Sequence, residues 1–123
     1  MNSDNLHVYI LSVVKTEILK QFENQPISDQ RCFRILFKNY RSTSNKHYGL
    51  RLSYLGDKIM SKHFESYSYE MDSSISNKAL LGLDKKMFWP YYIGKQHVTF
   101  YSQDDAAWFR LNGQDINTYT DLL

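Results

Sequence analysis

Leu6, Ile10, Val14, Ile18 and Phe22 recur four residues apart in DNLHVYILSVVKTEILKQFE, residues 4–23. That period lays one apolar stripe along an amphipathic helix. A stripe of this kind is stable only when another layer covers it, so the chain must supply a second apolar surface. Asp4 suits the helix N-cap, and Pro26 disfavours helix at Gln25, so the predicted helix ends at NQPISD, residues 24–29. With 123 residues, 42% of them hydrophobic and 15% aromatic, the chain has the length and core material of one domain and lacks the signature of disorder. One domain spanning 1–123 is therefore expected, with an irregular tail at 114–123.

Further along, the apolar period switches repeatedly. In RCFRILFK, residues 31–38, Phe33, Ile35 and Phe37 alternate with Arg34 and Lys38, which predicts a half-buried strand. Leu36 falls on the polar face of that strand, which leaves a helix open. Leu50 and Leu52 around Arg51 predict a second strand, pairing with the first, after the polar connection NYRSTSNKHYG. Ser53 then caps a predicted helix with Leu55, Ile59 and Met60 inward, ending near Phe64. SYSYEM predicts a third strand, and Leu80, Leu81, Leu83 and Met87 a short helix ended by Pro90. YYIGKQHVTFY predicts a hairpin turning at Gly94, with Tyr92, Val98 and Phe100 on its inner face. Ser102 and Asp105 make a variant capping box opening a last helix through Ala106, Phe109 and Leu111, closed by Gly113. No βαβ rhythm emerges, so the expected class is α+β: a mostly antiparallel sheet of about five short strands with about four helices.

Charge is distributed less evenly than the net +2 suggests. Between Arg31 and Lys62 stand eight basic residues against Asp57 alone, while the rest of the chain carries seven basic and twelve acidic residues. In the predicted loop the cations interleave with aromatic and small polar residues. Cations neutralise phosphates and tyrosine rings stack on unpaired bases. Arg34, Lys38, Tyr40, Arg41, Lys46, Tyr48, Arg51, Lys58 and Lys62 are therefore the candidate nucleic-acid-binding residues. A solvated charged face is the plainer reading of the same cluster.

A second candidate surface is aromatic. Phe88, Trp89, Tyr91 and Tyr92 in MFWPYYI could anchor a protein partner, although core packing at a helix-to-strand corner is the more common explanation of such a cluster. Leu122 and Leu123 close an acidic, apolar TYTDLL, the character of peptides that dock in a groove. For catalysis the pattern offers little. Cys32 lies in an apolar run, and His7, His47, His63 and His97 lack metal-ligand spacing. Asp104 and Asp105 read as first-turn acids of a helix. No glycine loop cradles a phosphate, and no cofactor or metal is expected. The lone cysteine and the charged opening segment predict a reducing, cytoplasmic setting, and no apolar run is long enough to span a membrane.

YGLRLSYLGDKIMSKHF and LLGLDKKMFWPYYIGKQHVTFYSQDDAAWFRLNGQDI resemble segments of small uncharacterised proteins encoded by T4-like tailed phages, including cyanophages. The pattern is a Gly-Leu-Arg-Leu strand entering a helix, a Leu-Asp helix, a Pro-Tyr-Tyr hairpin and a closing helix before a Gly-Asp pair. It covers roughly residues 48–116, and here Gln114 interrupts the Gly-Asp pair. NTYTDLL is also similar to the leucine-ended acidic tail with which T4-type late-transcription coactivators engage the phage sliding clamp. What the resemblance implies is a phage-encoded protein, and with it the host cytoplasm; the family has no function to carry over. The expected function is non-enzymatic binding, of nucleic acid through residues 31–62, or as an adaptor or inhibitor of a host or phage machine.

Overall fold

The computed structural model describes residues 3–38, 51–70, 83 and 86–111. They belong to two compact units, Met1–Phe64 and Glu65–Leu123. The class is α+β: helices with a three-stranded antiparallel sheet.

The first unit is helical. Helix α1, Ser3–Gln21, buries Leu6, Ile10, Val14 and Ile18 of the predicted stripe together with Leu11, while Phe22 falls beyond the helix end and is half-buried. It ends where Glu23 and Asn24 take left-handed backbone, φ 60 and 59, and the Asn24 N–H closes onto the Leu19 carbonyl at 2.6 Å. Helix α2, Asp29–Leu36, replaces the strand expected over 31–38. Ser28 caps it, accepting from the Arg31 N–H at 3.2 Å, and Cys32 and Leu36 are buried one turn apart. Leu36, the misfit of the strand reading, thereby turns inward. Helix α3, Tyr54–His63, is capped by Ser53 as expected, its Oγ accepting from the Gly56 N–H at 2.9 Å, and buries Ile59 and Met60. Leu55 is only half-buried. Each helix packs on the other two.

A remnant of the expected strand pairing joins α2 to α3. Phe37 and Leu52 form an isolated antiparallel bridge, flanked by Lys38 N–H to Arg51 carbonyl (2.8 Å) and Ser53 N–H to Leu36 carbonyl (2.9 Å). Both Phe37 and Leu52 are buried, so the bridge is pinned from the core side. Gly56 meets the backbone of α2 here: a Cβ on it would lie 2.0 Å from the Leu36 oxygen. Only a glycine lets the two chains approach so closely.

In the second unit, β1 (Tyr67–Glu70), β2 (Tyr91–Ile93) and β3 (His97–Phe100) form a sheet in the order β1-β3-β2. Three strands stand among the described residues, fewer than the five expected. Helix α4, Gln103–Leu111, packs on β3. The hairpin turns through Lys95 and Gln96 between Gly94 and His97, with Gly94 N–H donating to the His97 carbonyl at 2.8 Å. Its inner face corrects the expectation: Tyr91 pairs with Phe100 and Ile93 with Val98, which leaves Tyr92 opposite Thr99 on the other face. A one-residue offset in the turn exchanges every side chain between faces. The inner face meets α4 through an aromatic cluster, with Phe100 and Phe109 centroids 5.1 Å apart and Tyr69 5.6 Å from Phe109. Leu83 and Lys86 are helical, in keeping with the predicted short helix. Met71, Leu80, Leu81 and Gly113 lie outside the described residues.

Candidate nucleic-acid interface

The boundary between the units is also a boundary in charge. Residues 1–64 hold ten basic and five acidic residues, a net +5; residues 65–123 hold five basic and eight acidic, a net −3. Every candidate phosphate-binding residue falls in the first unit.

Backbone geometry sets Lys38 beside Arg51. The bond between their main chains follows directly from the Phe37–Leu52 bridge, and because that pair faces the core the flanking side chains face outward. Lys38 is exposed and Arg51 half-buried. Arg34 is exposed on α2. Lys58 and Lys62 are exposed one turn apart on α3, with Ile59 and Met60 on its buried side. Their environments differ. Lys62 Nζ is held by Glu17 of α1 at 2.6 Å, and that bond keeps the Glu17 carboxyl below the usual range. Lys58 Nζ lies 4.5 Å from the centroid of the Tyr54 ring, itself exposed. The pairing of Lys15 with Asp29 at 2.8 Å ties α1 to α2 and occupies another acid of the basic unit. Tyr40, Arg41, Lys46 and Tyr48 lie outside the described residues.

Sequence reasoning missed Tyr54. Its only signal was its place between the Ser53 cap and Lys58, four residues on, the spacing at which helical side chains meet.

The aromatic candidates separate. Tyr91 is fully buried and pairs with Phe100, so it belongs to the core and cannot be a surface anchor. Tyr92 is half-buried, its ring 5.7 Å from that of His97. Trp89 is half-buried, and Phe88 is 76% exposed. The backbone beneath them is fixed by Asp105. Its carboxylate accepts from the Phe88 N–H (3.0 and 3.2 Å) and the Trp89 N–H (2.9 Å), while its own N–H makes only a long bond, 3.4 Å, to the Ser102 Oγ. The capping box is thus half made, its carboxylate turned toward residues 88–89. Burial pushes the Asp105 carboxyl above the usual aspartate range, against the opposing pull of the two N–H groups. Leu122 and Leu123 lie outside the described residues.

Cys32 is fully buried and its thiol is pushed up by burial, an environment that disfavours the nucleophilic thiolate. Among the described residues no three His, Cys, Asp or Glu side chains are grouped as metal ligands, and no helix is long and apolar enough to cross a membrane. No protein-family model, curated protein or solved structure matches the chain.

Proposed function

We propose that this chain is a non-enzymatic accessory protein, of the small kind that T4-like tailed phages encode, whose basic first unit binds the phosphate backbone of nucleic acid. The observation that carries the reading is the partition of charge: +5 on the unit that holds Arg34, Lys38, Arg51 and Lys58 at its surface, −3 on the other. Cations held on a folded face bind a polyanion with release of its condensed counterions, and net charge of one sign steers the encounter.

The test is a titration of labelled oligonucleotides against salt. Affinity should fall steeply as salt rises from about 50 to about 200 mM. Replacing Arg34, Lys38 and Lys58 together with Gln should flatten the salt slope by about three phosphate contacts, since each neutralised phosphate adds close to one unit of slope. Absence of binding at about 50 mM salt overturns the reading.

Phe88 favours a second reading, a protein-protein adaptor. A large apolar side chain, mostly exposed on backbone fixed by a buried carboxylate, is a preorganised anchor. This reading puts the contact on the acidic unit and requires no salt-dependent affinity for nucleic acid.

A further inference from the structure

We infer that Tyr54, with Lys58 over its ring, is a stacking site for an unpaired nucleobase, so that the polymer bound by the basic unit is single-stranded. The inference rests on the phosphate-binding reading and specifies its ligand.

Four observations converge on this residue. First, Tyr54 is 63% exposed although it opens a helix whose other large apolar side chains are buried or half-buried. Second, its backbone is fixed. The Ser53 Oγ accepts from Gly56 N–H and approaches the Ile35 carbonyl at 2.6 Å as donor, and the Ser53 N–H is bonded to the Leu36 carbonyl. With Gly56 seated on α2, the first turn of α3 has little freedom, and a tyrosine needs only two side-chain torsions set to present its ring. Third, the Lys58 ammonium lies 4.5 Å from the ring centroid, within cation–π range. Fourth, Arg51 is three residues before Tyr54, and Lys38 is bonded to its carbonyl.

An exposed ring with one cation over it and two more on the segment that leads into its helix matches the two parts of an unpaired nucleotide. The base has a π-face for the ring, and the phosphates on either side meet Lys58, Arg51 and Lys38. In a duplex both faces of each base are already stacked on neighbours, so the ring has nothing to receive and only the phosphate contacts remain. The site should therefore separate single strands from duplex of equal length. Deoxyribose and ribose strands present the same stacking surface.

The experiment compares a labelled pyrimidine-rich single strand of about ten nucleotides, in deoxy and ribo forms, with the corresponding duplex, by fluorescence anisotropy at low salt. Wild type should bind at least one single strand more tightly than the duplex, and the tighter form identifies the polymer. Tyr54→Ala should weaken single-strand binding about tenfold, leaving duplex affinity and the salt slope unchanged, because a stacking contact releases no counterions. Tyr54→Phe should bind like wild type, and Tyr54→Trp should bind at least as well, with its added indole emission quenched by the strand. Circular dichroism checks that each variant is folded. The inference is overturned if Tyr54→Ala binds single strands as wild type does, or loses strand and duplex equally. If salt-dependent binding survives either of those results, the phosphate-binding reading stands without the stacking site; if no oligonucleotide binds, both fall.

Discussion

The two units of this chain use charge in opposite ways. In the first, the buried joints between elements are backbone and apolar: the Phe37–Leu52 bridge, Gly56 against the Leu36 carbonyl, and the stripe of α1, while the ion pairs Lys15–Asp29 and Lys62–Glu17 link its helices only at the surface. Arg34, Lys38 and Lys58 stand outside that joint, exposed. In the second unit a buried carboxyl is part of the joint. Asp105, buried at the start of α4, holds the backbone of residues 88 and 89 that leads through Pro90 into β2. Exposed cations are available for a polyanion, whereas the buried Asp105 carboxylate is occupied by backbone N–H groups.

The largest expected effect tests the backbone joint. Gly56→Ala should destabilise the protein by about 3 kcal/mol, because the added methyl meets a main-chain oxygen that cannot rotate away. Thermal unfolding followed by far-ultraviolet circular dichroism measures it. Both tryptophans, Trp89 and Trp108, belong to the second unit, so their fluorescence reports how far the damage extends. An unchanged midpoint would mean that α2 and α3 are not held by this close approach.

Next comes the carboxylate. Asp105→Ala leaves the Phe88 and Trp89 N–H groups without their acceptor and should cost about 2 kcal/mol. The pH dependence has a definite sign. The folded carboxyl titrates above its ordinary range, so the native state holds the proton more tightly than the unfolded chain does. Its contribution is fully present below the ordinary aspartate pKa and declines as pH rises through the raised one. Asp105→Asn should remove that decline, seen as a flatter curve of thermal midpoint against pH from about 3 to about 7, relative to wild type. A parallel pair of curves would mean that this carboxyl titrates normally.

The smallest effect sharpens the comparison from the other side. The Arg34, Lys38 and Lys58 triple substitution with Gln should change stability by no more than about 0.5 kcal/mol per site, while nucleic-acid binding weakens and its salt slope falls by about three contacts. A large drop in the melting midpoint would show that these cations hold the first unit together, and the contrast with Asp105 would fail.

Much of this was legible in the sequence. The faces of α1 and α3, the Ser53 cap, the hairpin and the last helix follow from period and capping chemistry, which are local. The basic segment was legible as composition, including its segregation from the acids. Three features were not. Residues 31–38 carry both periods, and burial of Leu36 beside Cys32, together with the Ser28 cap, favours the helix. The hairpin's inner face depends on which two residues make its turn, a choice that separates Tyr91 in the core from Tyr92 on the opposite face. Tyr54 and Asp105 acquire their surroundings from residues distant in the chain: the α2 carbonyls that fix the Ser53 cap, and the N–H groups at 88 and 89. By itself, then, the sequence determined which segments are helical or extended wherever a single period prevails, and where the charge lies. Tertiary structure alone decided the ambiguous segment, the hairpin register, and which aromatic and acidic side chains face water. Those outcomes rest on burial and long-range hydrogen bonds, which no local window of residues contains.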